Sequence, residues 1–199
     1  MKQEVKLKII LMCLLAVALV IGVVLAFYGS QGDIENVLST KSSSVYIQEL
    51  FDPADYWLAG ETKQKEVKFG NQGERDQIIR FRIEEKWYAS NGTTWKPKTP
   101  NPVEIKWSEE IGAQWTSFED DNGWYYYKDI LEVGEQTDLV MKGLKFANRL
   151  SNDKQIEDFS YCSFRLVIYM EALDVNPEFS QSSWSKTFIQ EEGLRWSIY

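Results

Sequence analysis

The segment "QIIRFRIEEKW" (residues 77–87) decides the fold, because apolar and charged side chains alternate along it. Three apolar residues alternate with three charged ones: Ile79, Phe81 and Ile83 with Arg80, Arg82 and Glu84. The segment "YCSFRLVIYMEA" (161–172) repeats the pattern. A period of two residues is that of a β-strand with one buried face. Both segments are therefore predicted to be strands that turn one face to a core.

Shorter segments of β-like composition surround these two. They are "VYIQEL" (45–50), "KEVKF" (65–69), "VEIKW" (103–107) and "TDLVMK" (137–142). Beyond the N-terminus, no segment of 15 residues has the periodicity of a helix. The sequence therefore predicts an all-β domain over residues 45–199, an antiparallel jelly-roll-like β-sandwich.

Two Asn-Gly pairs predict tight hairpins, because both central residues of a type I′ turn need a positive φ. The pairs are Asn91-Gly92 and Asn122-Gly123. If each loop has two residues, the first hairpin places Tyr88 opposite Trp95. The second places Phe118 opposite Tyr127.

The aromatic run "WYYY" (124–127) follows the second turn and raises the question of a ligand site. In a strand, Trp124 and Tyr126 share one face, whereas Tyr125 and Tyr127 share the other. One face is expected to belong to the core, so at most two of these aromatics can contact a ligand such as a sugar. Trp124 and Tyr126 are the candidates for exposed aromatic contacts. Large aromatics also favour strands and sandwich cores, so a purely structural role stays open.

The N-terminal segment "IILMCLLAVALVIGVVLAF" (9–27) contains no charged residue and follows the basic segment "MKQEVKLK". Its length is that of a membrane-spanning helix, and the basic flank predicts a cytoplasmic N-terminus with an exported remainder. Small residues near its end also suit a signal peptide, with cleavage between Ala26 and Phe27. Residues 1–27 are therefore a signal peptide or a membrane anchor. The polar residues 28–44 are predicted to be a tether.

Charge and composition exclude several classes of function. The chain has a net charge of −8 at pH 7, and a basic footprint for nucleic acid is absent. It has no His, and its two Cys include Cys13 within the apolar segment. Catalytic triads that use His, and zinc sites built from His or thiolates, are thereby excluded. No catalytic residue, cofactor or metal ligand is predicted.

Carboxylates are the one kind of catalytic group that remains plentiful. A glycosidase needs only two of them flanking a cleft. Sequence alone does not rank the candidates, which are Glu84, Glu85, Glu109 and Glu119. Weak calcium binding by surface carboxylates also stays open.

Several motifs occur in a characteristic order along the chain. They are "LAFYGS" (25–30), "WLAGE" (57–61), "VKFGNQGERDQIIRFRIEEKW" (67–87), "GWYYYKDILEVGEQTDLV" (123–140) and "SFRLVIYMEALDVNPEFSQSSW" (163–184). With them the chain resembles the TasA/camelysin-like family of Gram-positive proteins, which are exported through SipW-type signal peptides. The resemblance implies a jelly-roll-like sandwich at the cell surface or in the extracellular matrix of a biofilm, and some relatives form fibres.

The chain departs from that family at three places. Tyr28-Gly29-Ser30 replaces the usual residues after the apolar segment, and Ala59 and Val133 stand where a turn Pro is usual. Some relatives carry a metallopeptidase label, which the absence of His contradicts here.

The expected function is that of an exported, non-enzymatic protein of the cell surface or matrix. The alternative is a carbohydrate-binding module or a carboxylate-based glycosidase. Expected partners are signal peptidase, the membrane through residues 9–27 unless they are cleaved, and either other copies of the chain through residues 28–44 or other surface proteins.

Overall fold

The computed structural model describes residues 31–38, 45–51, 57–98, 101–117, 122–147, 159, 162–189 and 195–197. These residues form strands with two short helices. In chain order the elements are β1 (Gln31–Leu38), β2 (Val45–Phe51), β3 (Thr62–Asn71), β4 (Gln77–Tyr88), β5 (Thr94–Trp95), β6 (Val103–Trp107), α1 (Ile111–Gln114), β7 (Trp115–Ser117), β8 (Tyr125–Tyr127), β9 (Met141–Phe146), β10 (Ser163–Asp174), α2 (Pro177–Trp184), β11 (Thr187–Ile189) and β12 (Arg195–Ser197).

The strands form two main sheets that face each other. Sheet A has the order β1-β10-β4-β8-β7, with β5 paired to β4, and sheet B has the order β2-β3-β9-β6. Strands β11 and β12 form a separate pair. Every pairing is antiparallel except that of β1 with β10. The predicted antiparallel, jelly-roll-like β-sandwich is confirmed.

The two alternating segments that predict the fold are the central strands of sheet A. Strands β4 and β10 pair along their whole length, from Gln77 opposite Asp174 to Tyr88 opposite Ser163. Their apolar faces point between the sheets and are buried. Because both strands keep a period of two, one register places the alternating apolar residues of both strands, such as Ile79, Phe81, Phe164 and Leu166, on the same face.

Aromatic side chains fill much of the space between the sheets. Phe81 meets Trp115 at a ring distance of 4.7 Å and an angle of 84°. Towards the other end of the sandwich, Trp87 lies 4.8 Å from Phe164. Edge-to-face and tilted ring contacts of this kind add to the free energy gained from burial of apolar surface. The abundance of aromatic residues is thus largely explained by the core.

The predicted tether over residues 28–44 is wrong for residues 31–38. These residues form β1, which pairs in parallel with Ser163–Met170 at the edge of sheet A. A strand is held by backbone hydrogen bonds, and the edge of a sheet offers unpaired N–H and C=O groups to polar and apolar segments alike. The low hydrophobicity of this segment therefore did not prevent it from joining the sheet.

The remaining N-terminal predictions lie outside the described residues. These are the apolar segment 9–27, the cleavage position between Ala26 and Phe27, and the rest of the tether. Among the described helices, none combines the length and the apolar character that crossing a bilayer requires.

Both predicted hairpins form, but with different registers. At Asn91-Gly92, the Ala89 N–H donates to the Thr93 carbonyl at 2.9 Å, and Trp87 lies opposite Trp95. The loop has one residue more than predicted, with the positive φ at its last residue, Gly92.

At the second turn, Asn122 and Gly123 both have a positive φ, 49° and 77°, as a type I′ turn requires. The strand residues nevertheless pair elsewhere, because Tyr127 lies opposite Trp115 and not opposite Phe118. Strand β9 also begins later than predicted, at Met141. The residues before it bond to β3 without forming a regular strand, for example through the Val140 N–H and the Val67 carbonyl at 2.9 Å.

Candidate functional site

The aromatic run 124–127 is covered on both faces. Tyr125 and Tyr127 pack against the core between the sheets, as one face was expected to do. Tyr126 lies on the opposite face and is fully buried, with 0% of its surface exposed. The prediction that Tyr126 is an exposed ligand contact is therefore wrong.

The C-terminal segment supplies the cover over Tyr126. Helix α2 and strand β11 lie over one end of the outer face of sheet A, the face turned away from sheet B. Trp184 and Phe188 pack there with Ile78, Leu173 and Tyr126 in a second apolar cluster. Helix α2 has only eight residues, too few for a periodicity search over 15 residues to detect.

Arg80 connects this cluster to the rest of the outer face. Its guanidinium group lies 4.1 Å from the centre of the Trp124 ring and 4.7 Å from that of Trp184. Its Nε and Nη2 atoms donate to Glu171 Oε2 at 3.0 and 2.8 Å, and its Nη1 atom donates to Tyr126 Oη at 2.9 Å. Arg80 is only 9% exposed, so its positive charge is stabilised by these partners more than by water.

Further cations and aromatic rings continue along the same face. The Arg82 guanidinium lies 4.1 Å from the Tyr169 ring centre and 5.4 Å from that of Trp124. The Lys86 amine lies 6.0 Å from the centre of the Tyr169 ring and donates to its hydroxyl at 3.4 Å. We call this row the cation–aromatic ladder, with the members Trp184, Arg80, Trp124, Arg82, Tyr169 and Lys86.

The register of β4 and β10 builds the ladder. Arg82 lies directly opposite Tyr169, and Arg80 lies opposite Glu171. Strand β8 then places Tyr126 opposite Arg80 from the other side. Directly opposed residues of antiparallel strands have neighbouring side chains, so the pairing of three strands brings these groups together.

At the far end of the ladder, Tyr169 and Lys86 both interact with the carboxylate of Glu84. Tyr169 Oη donates to Glu84 Oε2 at 2.8 Å, and Lys86 lies 3.7 Å from the same carboxylate. The hydrogen bond to Tyr169 raises the pKa of the Lys86 amine, and the charge of Glu84 adds to that effect. Lys86 therefore stays a cation over the whole physiological range.

Arg82 is the member of the ladder best placed to contact a ligand. It is half-buried and forms no ion pair with any residue that the structure describes. A guanidinium group stacked on a ring keeps its N–H groups in the plane of the stack, where they can donate to hydroxyl or carboxylate oxygens. Trp124 and Tyr169 beside it are half-buried and present partly exposed rings.

Comparisons with known proteins add little to this description. No protein-family model matches the chain, and no curated protein does. Among solved structures, the chain is similar to the carbohydrate-binding module CBM3b from the cellulosomal cellobiohydrolase 9A of Clostridium thermocellum. The identity is 16% over 68% of this chain and 98% of that module, with a TM-score of 0.26. So loose a match supports no statement about ligands.

The candidate glycosidase carboxylates do not form a described pair across a cleft. Glu84 and Glu85 are adjacent in β4 and so belong to opposite faces of sheet A. Glu109 follows β6 of sheet B and forms an ion pair with Lys142 at 3.2 Å. Glu119 lies outside the described residues. Within the described part of the chain, no three Asp, Glu or Cys residues come together as metal ligands.

One signal for the ladder is visible in the sequence. Arg80 and Arg82 occupy alternate positions, which assigns both to the face of β4 opposite the core. The sequence does not predict the neighbours of these two arginines. Those neighbours lie on β8, β10 and α2, between about 40 and 100 residues further along the chain.

Proposed function

We propose that the chain is an exported, non-enzymatic protein of the bacterial surface or extracellular matrix. The apolar segment 9–27 with its basic flank supports export, and the resemblance of the motif order to the TasA/camelysin-like family supports the location. The observation that carries the proposal is the position of β1. This strand begins at Gln31, separated from the apolar segment by residues 28–30, and lies at an edge of the sandwich.

The place of β1 makes N-terminal processing decisive for this function. Only residues 28–30 separate the apolar segment from β1, and three residues of chain reach at most about 10 Å. Without cleavage, the edge of sheet A is held at the membrane surface. Cleavage between Ala26 and Phe27 releases the sandwich with a short N-terminal extension ahead of β1.

Released chains have a route to self-assembly through the same segment. Strand β1 is joined to β2 by residues 39–44 and contacts its own sheet through β10. If β1 of one copy pairs with β10 of another, the same hydrogen bonds form between copies that otherwise form within one copy. Assembly in this way needs a free N-terminal segment, so it depends on cleavage.

Mass spectrometry of the native protein tests the processing step. A mature N-terminus at Phe27 is expected, and light scattering of that form should reveal particles larger than a monomer. Replacing Ile34 and Glu35 together by Pro removes one backbone N–H from each side of β1, since these groups alternate along a strand, and should prevent assembly. An intact N-terminus would refute cleavage. A processed form that stays monomeric at high concentration would refute assembly.

The absence of enzymatic activity is part of the same proposal. A metallopeptidase needs ligands for a catalytic zinc, and the chain has no His. We expect the purified protein to leave casein intact. Proteolysis that a chelator removes and zinc restores would contradict this expectation.

A carbohydrate-binding module is the second candidate function, and the cation–aromatic ladder is the observation that favours it. Partly exposed rings that flank a donor-rich guanidinium group suit the faces and hydroxyls of sugars. A glycan array probed with the full chain tests this candidate. Binding should be lost in Trp124→Ala and kept in Trp95→Ala, whose ring lies at another part of the fold beside Trp87. Absence of any bound glycan, or equal binding by both variants, would remove it.

A further inference from the structure

Strand β6 offers an open edge of sheet B. It pairs with β9 on one side and is the last strand of the sheet on the other. Other described edges exist on β1, β2 and β7, but β6 has a feature that they lack. Its sequence, Val103-Glu104-Ile105-Lys106-Trp107, has opposite charges placed symmetrically about Ile105.

The backbone groups of the odd-numbered residues of β6 point to the open side. The carbonyl of Pro102 accepts from Ala147 N–H at 2.9 Å, and the N–H of Ser108 donates to Val140 at 3.0 Å. Both bonds lie on the β9 side, and backbone groups alternate sides along a strand. The N–H and C=O groups of Val103, Ile105 and Trp107 therefore face away from β9, where no described strand pairs with them.

We propose that this edge binds the same edge of a second copy of the chain, antiparallel and about a two-fold axis at Ile105. In that pairing Ile105 faces Ile105 of the other copy, and the two residues exchange a pair of backbone hydrogen bonds. Val103 faces Trp107 of the other copy in the same way. The two four-stranded sheets then form one continuous sheet, a mode of association in which the backbone provides most of the bonds.

Charge complementarity selects this partner and this register. Glu104 of each copy faces Lys106 of the other, so two pairs of opposite charge form across the axis. Both side chains lie on the outer face of sheet B, and 58% and 38% of their surfaces are exposed. In the single chain they form an ion pair with each other at 2.5 Å, which is a contact between neighbours on one strand. In the dimer each charge gains a directly opposed partner as well.

The open edge of β2 shows what an edge without this feature looks like. Antiparallel pairing of Val45–Phe51 with itself is centred on Gln48 and sets Ile47 against Glu49. No opposite charges meet there. Strand β7 has only three residues. A charged residue in an edge strand usually discourages pairing with another chain. In β6 the two charges favour pairing, because a second copy gives each of them a directly opposed partner of opposite charge.

The pairing closes on itself and yields a dimer, not a fibre. A two-fold contact uses the same surface on both partners, so it is complete at two copies. It is independent of β1, which lies at the edge of sheet A. The inference therefore goes beyond the proposed function and does not depend on cleavage of the apolar segment.

Charge reversal tests the proposal through the mixture of two variants. In Glu104→Lys, two lysines of each copy face two lysines of the other, and in Lys106→Glu four carboxylates face one another. Each variant alone should dimerise about tenfold or more weakly than the wild type, since two attractive pairs become repulsive. Mixing the variants restores opposite charges at both positions, so a heterodimer of wild-type affinity is expected.

Sedimentation of the full chain in detergent, with the two variants carrying different fluorophores, measures these affinities. In the mixture, neither variant regains the ion pair between residues 104 and 106 of its own chain. Recovery of the dimer affinity therefore reports contact between chains. Lys68→Glu on β3, away from the edge, makes the same change in net charge as Lys106→Glu and should leave the dimer unchanged. Matching thermal unfolding curves show that the variants fold. A monomeric wild type, variants that dimerise normally or a mixture without recovery would each overturn the proposal.

Discussion

Replacing Arg80 by Met is expected to destabilise the sandwich by about 4 kcal/mol. Methionine has a similar length and fills the space between Trp124 and Trp184, so the change removes the charge and leaves most of the packing. Glu171 then loses both of its hydrogen bonds from the guanidinium group, and Tyr126 Oη loses its donor. The free energy of unfolding should fall because these two groups remain in place after losing the hydrogen bonds that the guanidinium group donates to them.

The magnitude follows from the exposure of the two charged side chains. Only 11% of the Arg80 side chain and 29% of the Glu171 side chain are exposed. Removing one member of a buried ion pair costs about 3–5 kcal/mol, and the partial access of water to Glu171 favours the lower end of that range. Loss of the cation–π contacts with Trp124, Tyr126 and Trp184 adds about 1 kcal/mol. For a chain of this size, 4 kcal/mol lowers the melting temperature by roughly 8–16 °C.

Arg82→Met is the matched control, because it removes a charge from the same face of the same strand. Arg82 stacks on Tyr169 and Trp124 but forms no ion pair with a described residue, so a loss of about 1 kcal/mol is expected. Urea unfolding followed by tryptophan fluorescence measures both variants. Equal losses, or a loss below about 1 kcal/mol for Arg80→Met, would refute the reasoning that the Arg80 charge depends on its partners.

Three further changes test other parts of the fold. Tyr126→Ala should cost about 3–5 kcal/mol in urea unfolding, because the ring is fully buried; a loss near zero would contradict the cover by α2. Gly143→Ala should cost about 1–3 kcal/mol, since an added Cβ would lie 2.6 Å from the Lys63 carbonyl oxygen, whereas Gly112→Ala meets open space and should be tolerated. Burial, followed by nearby carboxylates, raises the pKa of Tyr127 to about 12, so the folded state holds this proton more tightly than the unfolded state. Its contribution is complete below pH 10 and is lost as the pH rises to 12; Tyr127→Phe should show a smaller fall in melting temperature over that window, and an unchanged fall would count against it.

Local sequence patterns were enough to locate the main strands. The predicted segment 77–87 is β4 almost to the residue, and 103–107 is β6 as predicted. Alternation also assigned each side chain of β4 and β10 to the correct face. Both results have the same cause, since the period of two is a property of the extended backbone and is independent of what packs against it.

Turn residues determined that hairpins form but not where their strands pair. Asn122 and Gly123 adopt the positive φ that the sequence predicts. The register depends on the length of the loop and on which neighbouring residues can be buried, so Tyr127 pairs with Trp115 and not with Phe118. The same limit applies at Asn91-Gly92, where one additional loop residue shifts Trp95 from Tyr88 to Trp87.

The sequence by itself determined the all-β class, the main strands with their two faces, and the lack of His-dependent chemistry. Only the tertiary structure decided what covers each face. Helix α2 buries Tyr126, β10 pairs with the polar segment 31–38, and β8 and β10 flank Arg80. The physical reason is that a strand's own residues fix which side chains share a face. Whether that face meets water, a helix or another strand depends on segments far away in the chain.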